Sequence, residues 1–192
     1  MKKLIPALLL LLTACGGSAQ PQLYRLGSDA AAQATCTRGP SITIRQPIAA
    51  PGLDSAHIVV LQEGGRQSFY NDVRWNADAP ELVQHYLAGR FEQSGRFALV
   101  TTDDSAARTT WQLEIQLRDF QVDQVANKLQ ITFTASLVNA ASRRPVLTLP
   151  LRAEADISGK DMAGIVAGFD AQMAALSDQL LAALSHQLPS CR

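Results

Sequence analysis

Three stretches between Trp111 and Ala153 alternate apolar with polar residues, and this alternation constrains the fold more than any other feature of the sequence. The apolar positions are Trp111, Leu113, Ile115 and Leu117, then Leu129, Ile131, Phe133, Ala135 and Leu137, then Leu147, Leu149, Leu151 and Ala153. A period of two is typical of a β-strand with one buried face and one solvated face. Three such strands, joined near Ala126-Asn127 and near Ser142-Arg143, predict an antiparallel meander.

Two other segments have the spacing of amphipathic helices. The first begins at Asp78, a predicted N-cap, has Pro80 in its first turn, and ends at Ser94-Gly95. The second covers roughly residues 160–187. Short β-type segments precede the first helix, and Gly64-Gly65 is a hairpin signal between two of them. We therefore predict an α/β fold, a two-layer sandwich of a mixed, mostly antiparallel sheet with two main helices on one face.

The N-terminal residues have the layout of a bacterial export signal. Lys2 and Lys3 precede an apolar run that ends at Leu12 and is too short to span a bilayer as a stable helix. Residues 12–15, with the sequence LTAC, resemble the bacterial lipobox, whose cysteine carries the lipid. This pattern predicts lipid attachment at Cys15.

The chain is accordingly divided into a signal peptide at 1–14, a lipidated tether at 15–21 and one domain at 22–192. Acyl chains such as palmitate on Cys15 would anchor the protein to a membrane without spanning it. The alternative is an ordinary signal peptide that is cut near residues 19 and 20 and removes this cysteine.

The two residues after Cys15 are Gly16 and Gly17. In lipoproteins with a lipobox, an aspartate after the cysteine typically causes retention in the inner membrane. Because no aspartate is present here, we expect the protein in the outer membrane, with its domain facing the periplasm.

Cys36 and Cys191 are the two remaining cysteines. An even pair in an oxidising compartment predicts a disulfide. In the chain-entropy model, closing a loop of about 155 residues restricts the unfolded chain by about 5 kcal/mol. The alternative, two free thiols or a metal-binding pair, has no nearby histidine or third cysteine to support it.

The sequence contains none of the motifs that mark hydrolytic, phosphate-binding or dinucleotide sites. His57, His85 and His186 lie far apart, at no metal-ligand spacing. Asp103-Asp104 is a pair of carboxylates, but adjacent turn residues point apart, which favours a solvated loop over acid–base chemistry. The sequence has no basic patch of the kind that would indicate nucleic acid binding. We therefore expect no enzymatic activity, no metal, no cofactor and no nucleic acid partner.

Three segments are distinctive: YNDVRW at 70–75, GRFALV at 95–100, and LRDF at 117–120, which we interpret as the end of a strand. Together with the lipobox they resemble the ABC-type transport auxiliary lipoproteins, a family encoded beside MCE-type lipid transporters and in paraquat-inducible operons. The resemblance extends from about Leu23 to about Leu188, which is nearly all of the domain.

This resemblance implies an accessory subunit of a transporter that moves lipids, in particular phospholipids, between the inner and outer membranes. The implied partner is an MCE-domain protein, with an ABC permease and ATPase at the inner membrane, and a homo-oligomer is also implied. An alternative is a lipoprotein regulator of cell-wall synthesis that binds a peptidoglycan synthase. A third is a lipid carrier with its own cavity.

Arg74 and Trp75 are the candidate functional residues of the domain. Their neighbours Asn71 and Asp72 are turn formers, but this pair has no obvious role in a turn or a cap. In one interpretation the two side chains form a cation–π pair that braces the connection to the helix, worth about 0.5–2 kcal/mol. In the other they contact a partner, because Trp and Arg are frequent at interface hot spots.

Overall fold

The computed structural model describes residues 20–27, 36–157 and 161–188. In chain order its elements are β1 (Gln22–Tyr24), β2 (Ser41–Ile44), β3 (Ile48–Ala49), β4 (His57–Leu61), β5 (Gln67–Trp75), α1 (Ala79–Gln93), β6 (Leu99–Thr101), β7 (Trp111–Asp123), β8 (Lys128–Asn139), β9 (Pro145–Asp156) and α2 (Met162–Ser185). The strands form one curled, nine-stranded sheet against which the two helices pack. The predicted α/β sandwich is confirmed.

The 13-residue strand β7 is the centre of the sheet. Along one edge it pairs with β8 in antiparallel register over its whole length, and β8 pairs in turn with β9, which confirms the meander. Along its other edge it pairs successively with β2, β3 and β4, all parallel. Strands β6 and β5 extend the sheet beyond β2 and β4, and β1 pairs with β5. Strand β7 therefore positions most of the strands that precede it in the chain, by pairing with β2, β3 and β4 and, through them, with the rest.

A β-bulge at Arg118 changes which side chains of β7 face the core. Arg118 has no opposite residue in the ladder with β8. The extra residue allows both Leu117 and Phe120 to be buried although they are three positions apart. Our interpretation of the LRDF segment as a strand end is wrong, because β7 continues through the bulge to Asp123.

The hairpin and the first helix lie where the sequence predicts them. Strands β4 and β5 are antiparallel and are joined by one turn of 3₁₀ helix at Glu63–Gly65. Asp78 occupies the N-cap position of α1, but its side chain makes no capping hydrogen bond. Instead, the first helical N–H, that of Ala79, donates to the carbonyl of Ser55 at 3.0 Å. The helix ends at Ser94, as predicted.

Helix α2 lies close to the sheet at Gly168. A Cβ atom at this position would be 2.3 Å from Cδ1 of Leu129, whose side chain is fully buried. The N-cap of α2 is Asp161, which accepts a hydrogen bond from the N–H of Gly164. Within the described residues, neither helix combines the length and hydropathy needed to cross a membrane.

One hydrophobic core lies between the sheet and the helices. Helix α1 packs on β2, β3 and β6, whereas α2 packs on β8 and β9, and the two helices also contact each other. All described residues of the buried core cluster lie between Leu26 and Leu184. The domain from Gln20 onward therefore contains the entire described core without the predicted signal peptide.

Cys36 packs against Gly39 beside the core. Cys36 is buried and disulfide-bonded. A Cβ at position 39 would lie 2.6 Å from Sγ of Cys36 and 3.2 Å from the carbonyl oxygen of Arg96. The predicted disulfide partner, Cys191, lies outside the described residues, as does Cys15, so the pairing and the lipid attachment stay predictions.

Replacing Gly39 with Ala should lower the free energy of unfolding by about 1–3 kcal/mol, the usual cost of overpacking a core. Neither the bridged sulfur nor the backbone of Arg96 is free to move away from the added methyl group. Urea denaturation of the domain from Gln20 onward measures the change.

Gly89→Ala is the matched control. A Cβ at Gly89, in the middle of α1, would meet no atom within 4 Å. Helix propensity alone then raises the stability by about 0.8–1 kcal/mol. If Gly39→Ala raised the stability as Gly89→Ala does, the proposed crowding at Gly39 would be disproved.

Candidate functional site

Trp75 is a core residue. Its side chain is 1% exposed, and its ring centroid lies 5.5 Å from that of Phe120 and 5.5 Å from that of Phe169. These contacts join β5, β7 and α2. The indole Nε1 has no hydrogen-bond partner in the structure as described. This placement favours the bracing role for Trp75 over contact with a partner.

Arg74 faces the opposite side of the sheet, because neighbouring residues of a strand point to opposite faces. Its Nη1 atom hydrogen-bonds to Nε2 of His57, whose Nδ1 atom lies 3.3 Å from Oγ of Ser55. A guanidinium only donates hydrogen bonds, so Nε2 accepts and the ring proton is on Nδ1. Arg74 is thus held by His57 and not by the predicted stacking on Trp75.

Four side chains at this end of the sheet form what we call the β1-edge patch: Leu23, His57, Phe69 and Arg74. Leu23 and His57 are the strand-pair partners of Arg74 on either side, which places the three side chains on one face. The ring of Phe69 lies 4.6 Å from that of His57, between centroids. Leu23 is 65% exposed and Phe69 is 43% exposed. Exposed apolar groups around a positioned arginine are typical of interface anchors.

The sequence marks Arg74 but not the rest of this patch. His57 reads as an ordinary strand-edge histidine, and Leu23 and Phe69 are single apolar residues in short strands. Only the pairing of β1, β4 and β5 brings the four side chains together.

The β1-edge patch is close to the predicted lipid anchor along the chain. Gln22, the first residue of β1, is seven residues after Cys15. An extended chain covers at most about 3.3–3.6 Å per residue, so this tether reaches about 25 Å. A lipid on Cys15 would hold this edge of the sheet near the membrane surface.

Asp103 has a structural role that the sequence did not reveal. Its carboxylate is 2.6 Å from Nη1 of Arg45 and accepts hydrogen bonds from the N–H of Gln46 and from Nε2 of Gln84. These contacts attach the loop after β6 to the end of β2 and to α1. Asp103 and Asp104 are both exposed, as the predicted solvated loop implies, but Asp103 also makes these structural contacts.

The described residues contain no group of three His, Cys, Asp or Glu side chains that could hold a metal ion. A cavity of about 440 Å³ lies along α1 and is lined partly by charged side chains, among them Arg25, Glu81 and Arg90. Burial, reinforced by the nearby charge of Asp170, raises the pKa of Tyr86 in this cavity to about 12. The phenol is therefore neutral at physiological pH.

By its fold and surface, the chain is a small α/β sandwich domain with an exposed apolar and basic patch at one edge of its sheet. The family model of the ABC-type transport auxiliary lipoprotein component matches residues 24–181, and the chain belongs to this family. It is therefore a lipoprotein associated with ABC transport.

Solved structures with a similar fold include the following two. Protein XCC0632 from Xanthomonas campestris is 22% identical, with a TM-score of 0.67 over 84% of this chain and 90% of that one. A second crystal structure, described only as an uncharacterized protein, is 11% identical, with a TM-score of 0.68 over 86% of this chain and 99% of that one. At these identities the similarity shows a shared fold and nothing more. No curated protein matches the chain.

Trp75→Ala should lower the free energy of unfolding by about 3–5 kcal/mol, because it leaves a cavity between Phe120 and Phe169. Arg74→Ala removes one hydrogen bond from a partly exposed site and should cost less than about 1.5 kcal/mol. Chemical denaturation of both variants compares these costs. Equal losses of stability would contradict the assignment of the two side chains to opposite faces.

Proposed function

We propose that the protein is an outer-membrane-anchored, periplasmic accessory lipoprotein of an MCE-type ABC transport system that moves phospholipids between the inner and outer membranes. It acts by docking to the MCE subunit, whose permease and ATPase partners lie at the inner membrane. It carries out no reaction of its own and uses no cofactor. The observation that carries this proposal is the match of the family model to residues 24–181.

The predicted anchor supports the outer-membrane location. Lipid on Cys15 retains the protein at a membrane, and Gly16 and Gly17 lack the aspartate associated with inner-membrane retention. From that position the domain meets the outer-membrane end of an assembly that crosses the periplasm.

The β1-edge patch is the proposed contact with the MCE subunit. Leu23 and Phe69 offer exposed apolar area, and the hydrogen bond to His57 limits the motion of Arg74 before a partner arrives. Such preorganisation reduces the entropy cost of binding. Several copies assembled as a homo-oligomer would present the same patch repeatedly to one MCE subunit.

A photo-crosslinking residue placed at position 69 should capture the MCE subunit in intact cell envelopes. Position 146 in β9 is the matched control, because Val146 and Phe69 are both 43% exposed. Mass spectrometry of the crosslinked products identifies the partner. Capture of a peptidoglycan synthase would instead support the cell-wall alternative, and capture of a second copy alone would assign the patch to self-association.

Phe69→Ala should reduce co-purification of the MCE subunit about tenfold, whereas Val146→Ala should leave it unchanged. A tenfold loss corresponds to about 1.4 kcal/mol, within the usual range for truncating an interface anchor. Quantitative immunoblotting at equal protein levels measures the ratio. Equal effects of the two substitutions would remove the β1-edge patch from the interface.

A further inference from the structure

A cavity of about 460 Å³ lies at the open end of the sandwich. It is bounded by the β4–β5 hairpin, the turn between β7 and β8, and the first turns of α2. Its most buried lining residues are Val60, Val122 and Ile165, with exposures of 7%, 1% and 6%. Tyr70 and Ile157 are half-buried and also line it. We call this cavity the hairpin cleft.

The position of the helices explains why the hairpin cleft is open. Val60 pairs with Ser68 on β5 and with Val122 on β7, which continues the core-facing side of the sheet into the hairpin. Helix α1 packs on β2, β3 and β6, and α2 packs on β8 and β9. The core-facing side of the hairpin therefore extends beyond both helices.

Among the residues that the structure describes, none that lines the hairpin cleft is charged. Its polar members are amides and hydroxyls, including Ser68, Gln124 and Asn127. Burial raises the pKa of the Tyr70 phenol, so this group is neutral as well. The cavity along α1 and the cavity at the hairpin tip, by contrast, include charged residues such as Arg90 and Arg66. The chemistry of the hairpin cleft thus suits a neutral, apolar ligand and not a charged head group.

The volume limits the size of that ligand. Ligand sites usually measure about 300–1,000 Å³. A water molecule occupies about 30 Å³ in the liquid, and a methylene group is of similar size. A volume of 460 Å³ then holds about 15 such groups, which is one acyl chain and not a complete two-chain lipid.

We propose that the hairpin cleft binds one acyl chain of a membrane lipid while the head group stays outside. That the acyl chain belongs to a membrane lipid rests on the proposed function. The existence of the cleft and its uncharged lining do not depend on that proposal. Phe69 belongs both to the β1-edge patch and to the lining of the cleft, so the two sites are adjacent. An acyl chain in the cleft would lie beside the docked partner.

The test uses the domain from Gln20 onward, which contains the entire described core. The probe is cis-parinaric acid, a single fluorescent acyl chain without an attached dye. Fluorescence titration should show saturable binding. Palmitate and lyso-phosphatidylethanolamine, which share a single long chain but differ in head group, should displace the probe equally well. Butyrate should not displace it. Binding that requires one particular head group, or no saturable binding, would overturn the proposal.

Two substitutions close the hairpin cleft from different positions. Ser68→Phe fills its interior, and Gln124→Trp covers its mouth from an exposed turn position that tolerates a large side chain. Each should weaken probe binding about tenfold or more, since losing room for two methylene groups costs about 1.6 kcal/mol. Thermal denaturation confirms that each variant is folded.

His85→Trp is the matched control for Gln124→Trp. His85 is an exposed residue at the cavity along α1, which has nearly the same volume. This variant should bind the probe like the unmodified domain. Weaker binding by His85→Trp together with unchanged binding by Gln124→Trp would place the ligand in the other cavity and overturn the proposal.

The titration involves no transporter component, so its outcome is independent of docking. Gln124→Trp should still crosslink to the MCE subunit through position 69. No saturable probe binding by the unmodified domain, together with normal crosslinking at position 69, would refute the acyl-chain site and leave the proposed function standing. Saturable probe binding without crosslinking would refute the docking proposal and leave the acyl-chain site standing.

Discussion

The pairing of β7 along both of its edges is the constraint on which the rest of the structure depends. Its antiparallel ladder with β8 consists of contacts that are close in sequence, and such contacts form at low entropic cost. The other edge of β7 pairs in parallel with β2, β3 and β4. These pairings require contacts between distant parts of the chain. The bulge at Arg118 keeps both ladders intact while turning Phe120 towards the core, where it meets Trp75 and Phe169.

The positions of the patch and of the cleft follow from this arrangement. Because β4 pairs with the last residues of β7, the β4–β5 hairpin lies at the end of the sheet, beyond the area that the two helices cover. One side of the hairpin contributes Phe69 and Arg74 to an exposed surface, and the other contributes Val60 to an uncharged cavity. A protein partner and a single acyl chain would therefore be bound next to each other, at the edge of the sheet that the predicted lipidated tether would hold near the membrane.

The accuracy of the sequence-based predictions depends on the range of the interactions involved. The meander, the hairpin and both helices were predicted because alternation, turn residues and helix ends are local signals. The predicted stacking of Arg74 on Trp75 is wrong, since adjacent strand residues face opposite sides, and a partner contact by Arg74 stays a prediction. The contacts of Asp103 were not predicted because its partners lie next to β2 and on α1, which are distant in the sequence. Leu23 and Phe69 were missed because no local pattern marks an exposed apolar residue as part of a patch.

The sequence by itself determined the types and order of the elements and the family resemblance, and it predicts an export signal with a lipobox. These properties depend on side-chain period and on short motifs, which are local to each segment. Only the tertiary structure decided that Trp75 is buried, that His57 holds Arg74, and that an uncharged cleft opens under the hairpin. The physical reason is that these features depend on the register between strands far apart in the chain, and that register follows from the whole set of pairings around β7.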